Sequence, residues 1–404
     1  MRPKARLLAP LILAALPAFA PALTQAQEAT GPKPPCGGDF GAWVDGVKAE
    51  ATALGHAPET VDAFFSGIRT DPAVLKADRA QGVFQRDFVD FSRRLISENR
   101  IANGRANAER YDATFDRIEA EYGVPRGVLL AFWAFETDYG AVQGDFNTAD
   151  ALATLAHDCR RPELFRPQLI AAIELYAKGG LDPASTTGAW AGEIGQVQML
   201  PEDILVNGVD GDGDGRVDLK NSPRDALLSG GKMLAHLGWR ANEPWLQEIV
   251  VPEGLDWSQT GLDTQKPVSE WQALGIAGRS GDLGRADLPA SVLLPMGKDG
   301  PAFLAYPNFR VYFEWNQSLV YVTTAAYFAN RLSGAPVYDA GNAAPGLSGN
   351  EMVRLQEKLQ ARGYDVGGAD GILGEMTRQA VQAEQQRLGM PADAWPTPAL
   401  LGAL

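Results

Sequence analysis

Between Val128 and Phe135 eight apolar residues follow one another, VLLAFWAF, and the run ends on Glu136 within the stretch ETDYG. Pro125 just upstream suits the first turn of a helix. A helix that is apolar on every side has to be enclosed by protein rather than laid on a surface, so this run demands other elements around it. The sequence supplies them. Between about residues 40 and 120 apolar residues recur at i, i+3 and i+4, as in FVDFSRRLI and YDATFDRIEAEYG, the spacing of amphipathic helices. Further helices are expected over 163–178, where a Gly pair suits the C-cap, over 223–238 and over 318–332. The expected fold class is mainly α.

At 404 residues the chain is long for a single core, and its texture changes twice. From 244 to 313 clusters of Gly, Pro and Asp separate short β-prone runs, VLLPM and FRVYF, which predicts a small mixed α/β subdomain with a few strands. Residues 337–348 have linker composition. Beyond them, 349–404 carry EMVRLQEKLQARGY, the turn-rich DVGGADGILG and EMTRQAVQAEQQRLG, enough for a small separate domain. The main domain is expected over 27–336.

Residues 1–26 read as a secretory signal peptide. Arg2, Lys4 and Arg6 precede the apolar run LLAPLILAALPAFA, and TQA at 24–26 offers a small-residue cleavage site. Pro10, Pro17 and Pro21 interrupt the run and argue against a membrane anchor; no later segment is apolar for long enough to span a bilayer, so no transmembrane segment is expected in the mature protein. The formal charge of −14 becomes −17 once the three basic charges of the leader are removed. Phosphate binding needs a basic surface, so nucleic acid is excluded as a partner. Two cysteines, Cys36 and Cys159, can form one disulfide in an oxidising compartment, or stay as two buried thiols.

The chemistry narrows by exclusion. His56, His157 and His236 are the only histidines, none in an H-E-x-x-H pattern, and neither G-x-S-x-G nor a phosphate-cradling loop occurs. Glu136 remains the strongest candidate. A carboxyl group at the C-terminal end of a buried helix loses hydration and meets the negative end of the helix dipole, and both effects favour its protonated form; such an acid can donate to a glycosidic oxygen. The plainer reading is a Glu that reaches the surface as its helix ends. In GAWAGEIGQVQMLP, 188–201, small residues flank Trp190 and a Gln-x-Gln, which suits a backbone passing close to a ligand, or else a packing turn. In VDGDGDGRVDLKNSPRDA, Asp210, Asp212, Asp214 and Asp218 fall on EF-hand loop positions 1, 3, 5 and 9, with Gly215 at the turn and the Arg216 carbonyl at 7. Position 12 is Asn221 rather than a bidentate Glu, and Asp225 is the candidate to close the loop. A structural Ca2+ or an acidic surface turn are the two readings.

ETDYG, DALATLA (150–156), CRR (159–161), GAWAGEIGQVQMLP and FEWNQS (313–318) stand in the order found in the membrane-bound lytic murein transglycosylase B family, which the chain resembles over roughly 36–334. The C-terminal unit, with LQEKLQARGY and DGILGEMTRQAV, resembles a peptidoglycan-binding module. The resemblance implies a lysozyme-like catalytic domain, a small three-helix wall-binding domain and a periplasmic enzyme acting on peptidoglycan glycan strands. It implies that Glu136 is the single acid/base, cleaving the MurNAc–GlcNAc bond and closing the muramyl C6 oxygen onto C1 to leave a 1,6-anhydro end, whereas a hydrolase needs two carboxyl groups. It implies that Arg160, Arg161, Gln198, Asn316 and Tyr321 line the glycan groove, with Trp315 where Tyr is common, and that Asp225 joins the calcium loop. Tyr139 and Trp315 are candidate sugar platforms; Phe132, Trp133 and Phe135 belong to the core. Two departures from the family pattern are Glu193, at a small or apolar position, and Met199, where Phe is usual.

Overall fold

The computed structural model describes residues 34–80 and 86–404; the leader expected over 1–26 lies outside them. Helices dominate. The first group is α1 (Phe40–Ala53), α2 (Pro58–Phe65), α3 (Pro72–Asp78), α4 (Phe88–Leu95), α5 (Glu98–Arg110), α6 (Asp112–Tyr122) and α7 (Arg126–Thr137). Side-chain oxygens of Asp39, Asp71, Asp87 and Ser97 accept from the amides that open α1, α3, α4 and α5, satisfying donors a helix cannot pair internally. Gly123 ends α6 at φ +68°, and a Cβ there would stand 2.4 Å from that of Ala241. Only glycine meets both demands.

The apolar run forms α7, and every residue from Gly127 to Thr137 is buried. Helices α5 and α6 pack on it, as do α11 (Pro223–His236) and α14 (Leu319–Leu332). Phe135 stacks on Phe328 at 5.1 Å and Phe132 on Trp315 at 4.4 Å between ring centroids. Each fully enclosed large apolar side chain contributes roughly 1.5–3 kcal/mol, so α7 anchors the main core. The remaining helices of this body are α8 (Thr148–His157), α9 (Pro162–Ala177) and α10 (Pro201–Asn207), and a short antiparallel pair, β1 (Phe146–Asn147) with β2 (Thr187–Gly188), sits at its edge.

The predicted mixed subdomain is a five-stranded antiparallel sheet in the order β4 (Lys266–Pro267), β6 (Pro289–Leu293), β7 (Phe303–Ala305), β3 (Leu246–Val250), β5 (Ala277–Gly278). It has its own core around Trp271 of α12 (Val268–Ala273), Val292, Leu304 and Tyr306. One expectation fails here. FRVYF is not a strand but lies within α13 (Pro307–Trp315). Its aromatic and β-branched residues favour a pleated strand in isolation; however, Pro307 opens a helix, and helical spacing turns Phe309 and Tyr312 inward, where Tyr312 stacks on Phe132. In VLLPM only Val292 and Leu293 belong to β6, because Pro295 has no amide for the ladder.

Helices α15 (Gly349–Gln360), α16 (Glu375–Arg387) and α17 (Pro398–Ala403) close around Met352, Leu355, Leu359, Val381 and Leu400, the expected three-helix domain. The segment before it, linker-like in composition, is seated rather than free: buried Tyr338 shares a 2.7 Å hydrogen bond with Ser92, and the Asn342 amide donates to Asp299 O at 2.6 Å. Arg378 donates to the carbonyls of Leu294 and Pro295, and Gln382 to those of Trp257 and Thr260, which docks the domain on the sheet body. Among the described residues no helix is long and apolar enough to cross a membrane.

Candidate functional site

The last turn of α7 delivers Glu136, and the chain then breaks sharply. Asp138, Tyr139 and Gly140 take φ values of +51°, +62° and +86°, while the Asp138 and Tyr139 amides return to the Ala134 and Trp133 carbonyls. A side chain on Gly140 would collide with Gln196 at 2.5 Å. The 188–201 loop is thus pressed against the end of α7. Gln196 fixes the contact: its Oε1 accepts from Trp133 Nε1 at 3.1 Å, and its carbonyl accepts from Thr137 Oγ1 at 2.6 Å. Neither Gln196 nor Thr137 is singled out by the sequence, although Gln-x-Gln between glycines marks the loop itself.

Glu136 is 9% exposed. Its Oε1 accepts from Tyr321 Oη at 2.5 Å and from Trp315 Nε1 at 3.1 Å. Burial pushes its pKa up to about 7 against the opposing pull of those two donors, because desolvation penalises the charged form more than two hydrogen bonds relieve it. The group can therefore hold or release a proton near neutrality. Trp315 does not fill the expected role: it is buried, stacked on Phe132 and turned to Glu136, so it supports the carboxyl group instead of presenting a face to a sugar. Tyr139 likewise gives its hydroxyl to Arg100 O at 2.7 Å and its ring to the edge of Trp133. Asp138 turns away from Glu136 to pair with Arg100 at 3.0 Å.

Gln198 and Asn316 are buried, and each keeps one amide atom, Oε1 and Nδ2 respectively, without a hydrogen-bond partner among the described residues. Trp190 Nε1 is in the same condition. Arg160 and Arg161 converge on one acid that the sequence gives no reason to select, Asp78 at the end of α3. Arg160 Nη1 lies 2.7 Å from Asp78 Oδ2, and Arg161 bonds to Oδ1. The Cys36–Cys159 disulfide ties residues 34–38 to this same arginine-bearing turn, with 5.3 Å between Cα atoms.

Glu193 is the residue whose setting the sequence least discloses. Its side chain is fully enclosed, and neither carboxyl oxygen has a hydrogen-bond partner among the described residues. Burial raises its pKa to about 8 and the charge of Glu136 adds to that rise, while the nearby backbone amides of Glu193 and Ala191 and the charge of Arg161 oppose it. A carboxyl group inside a glycine-rich, otherwise apolar loop was the available signal.

Farther along, Asp210, Asp212 and Asp214 bring carboxylate oxygens within 4.8 Å of one another. The structure does not bring Asp218 and Asp225 into that cluster. Asp225 accepts from the amides of Gly211 and Asp218 at 3.0 and 2.8 Å, and Asp218 from those of Lys220 and Asn221; both acids close the turn by bonding backbone. Arg216 donates its amide to Asp214 at 2.9 Å. Three clustered carboxylates repel one another unless a cation lies between them, and oxygen-only donors suit a hard ion such as Ca2+.

Residues 39–330 match the family described as Transglycosylase SLT domain, and residues 348–404 match a peptidoglycan binding domain family. Membrane-bound lytic murein transglycosylase B of Escherichia coli (strain K12) is 27% identical over 236 residues, 58% of this chain and 64% of that protein, so the match spans less than two thirds of the relative's length. The crystal structure of SltB3 from Pseudomonas aeruginosa in complex with NAG-NAM-pentapeptide superposes with a TM-score of 0.83 at 37% identity, covering 91% of this chain and 100% of that one. SltB3 is also known in complex with NAG-anhNAM-pentapeptide. Escherichia coli Slt35 in complex with calcium shares the fold at a TM-score of 0.63 and 24% identity, covering 74% and 96% of the two chains.

Proposed function

From the premise that this chain belongs to the Transglycosylase SLT domain family, we propose that it is an exported, periplasmic lytic transglycosylase that cuts the β-1,4 bond between N-acetylmuramic acid and N-acetylglucosamine in peptidoglycan. The observation that carries the reading is the setting of Glu136, a buried carboxyl group poised near pH 7 and gripped through one oxygen by Tyr321 and Trp315. Protonated Glu136 gives its proton to the glycosidic oxygen as the bond from that oxygen to C1 breaks. The carboxylate left behind is stabilised by the same two donors. It then takes the proton of the muramyl C6 hydroxyl as that oxygen bonds to C1, which restores the acid and consumes no water.

A hydrolytic muramidase would need a second carboxylate to activate water or attack C1. Glu193 is within electrostatic reach, but its burial keeps it neutral at pH 7, and a neutral acid is neither a base nor a nucleophile. The unpaired amide atoms of Gln198 and Asn316 and the Trp190 indole N–H supply the donors and acceptor that hydroxyl and acetamido groups of a glycan require. Arg160 and Arg161 would frame the groove from their Asp78 anchor. The C-terminal domain would hold the enzyme on the cell wall, and a Ca2+ ion bound by Asp210, Asp212 and Asp214 would brace the loop without entering the chemistry. Mass spectrometry of digested peptidoglycan tests the proposal. Products one water lighter than reducing ends support it, and reducing ends alone reject it in favour of hydrolysis.

A further inference from the structure

A cavity of about 380 Å³ lies where the C-terminal domain meets the catalytic body. On the catalytic side it is walled by the first turns of α14, the helix that carries Tyr321 to Glu136; on the other side stand Leu347, Leu373, Arg378 and Trp395. Arg378 is its anomaly. The residue is only 8% exposed, its two terminal nitrogens donate to the Leu294 and Pro295 carbonyls, and its Nε–H has no partner among the described residues. No carboxylate pairs with it among the described residues, although the Trp395 ring lies 5.9 Å from the guanidinium. Burial pulls its pKa down to about 10 against the opposing charges of Glu375 and Asp393. Those charges offset part of its burial, but a buried guanidinium N–H left without an acceptor still costs free energy that an acceptor in the cavity would recover. The acids at the mouth are already engaged: Asp87 caps α4, and Asp90 is held by Arg86 and Arg94. A second buried polar group on the wall, Thr323 Oγ1, is also without a partner among the described residues. The other walls are Leu319, Val320, Leu347 and Leu373, apolar surface suited to small side chains.

Resting on the reading that the chain cuts peptide-bearing glycan, we propose that this interdomain cavity is a subsite for the peptide stem, in which Arg378 receives a stem carboxylate through its unpaired N–H and Thr323 receives a peptide polar group. The C-terminal domain then acts as one wall of the substrate site as well as an anchor. The subsite would make stem-bearing glycan a better substrate than the same glycan stripped of peptide.

The test uses the full chain and two variants. Arg378→Gln removes the charge, and Leu347→Trp fills the cavity while leaving every Arg378 bond in place. A synthetic stem peptide with free carboxylates and its fully amidated counterpart are titrated calorimetrically against each protein. The free-acid peptide is expected to bind at least about tenfold more tightly than the amide, a difference set by one charge-assisted hydrogen bond, and both variants are expected to abolish that difference. In turnover, Leu347→Trp should raise KM about tenfold for stem-bearing glycan and leave stripped glycan unchanged. Equal binding of the two peptides, or a Leu347→Trp variant that treats both glycans as the wild type does or impairs both alike, would overturn the subsite. Failure of the wild type to form anhydro ends from either glycan would instead overturn the reading on which it rests.

Discussion

Tyr321 Oη and Glu136 Oε1 stand 2.5 Å apart, joining residues 185 positions apart in the chain, from the first turn of α14 to the last turn of α7. This short bond supports the carboxylate form of Glu136 and so opposes the desolvation that favours the acid. Tyr321→Phe removes that opposition. The pKa of Glu136 should rise beyond about 7, and the alkaline limb of the kcat/KM profile, where Glu136 loses the proton needed for the first step, should move to higher pH. The maximal rate should also fall about tenfold, because the carboxylate formed after proton transfer loses a charge-assisted donor. A pH–rate profile of wild type and variant checks both effects; an unmoved limb would show that the bond does not tune the acid.

Glu193 should make the fold sensitive to pH. Its pKa is raised by burial to about 8 in the folded chain and is ordinary in the unfolded one, so between those values the unfolded chain has already lost a proton that the folded chain keeps. Its stabilising effect is full at acidic pH and is lost as pH rises through the folded value. Glu136 adds the same trend up to about 7. Glu193→Gln, which needs no proton, should recover on the order of 3 kcal/mol of stability at about pH 8.5 relative to about pH 5.5. Denaturant melts at the two pH values provide the measurement, and identical pH dependence in both proteins would contradict the assignment.

The acidic loop offers a metal-dependent prediction. Calcium at a hundredfold excess over its dissociation constant should stabilise the protein by about 2.7 kcal/mol, read as a rise of several degrees in Tm that a chelator reverses. Asp210 also organises the turn by accepting from the Gly213 and Gly215 amides. Asp210→Asn keeps only one of the two oxygens that accept from those amides and deletes one of three charges, so it should abolish the calcium response and also lower the metal-free Tm. Absence of any calcium effect on the wild type, or an equal effect on the variant, removes the ion from the account.

The parts of the molecule legible in the sequence are those fixed by local pattern. An all-round apolar helix must be buried, and α7 is; its final acid must lose water, and Glu136 does. The Asp spacing at 210, 212 and 214 encodes a turn that gathers carboxylates within one short stretch, closed by Asp218, Ser222 and Asp225 a few residues on. Features that depend on the meeting of distant elements were not legible. Trp315 reads as a sugar platform until α13 coils and turns its indole onto Phe132, and FRVYF reads as a strand until Tyr312 finds the same ring. Nothing near Asp78 announces that it will hold two arginines more than 80 residues away. Glu193 is visible as an unusual residue, but its lack of partners is a property of the packed loop. Arg378 looks like an ordinary solvated helix residue and is instead enclosed by the docking of its domain.

The central claim is that one carboxyl group serves as both donor and acceptor of the proton. Glu136→Gln tests it most directly, since an amide keeps the size of the side chain and can accept from Tyr321 but cannot exchange a proton. With circular dichroism and peptidoglycan binding unchanged, release of anhydromuropeptides should fall by at least about a thousandfold. Retention of wild-type release by a correctly folded Glu136→Gln protein would contradict the account.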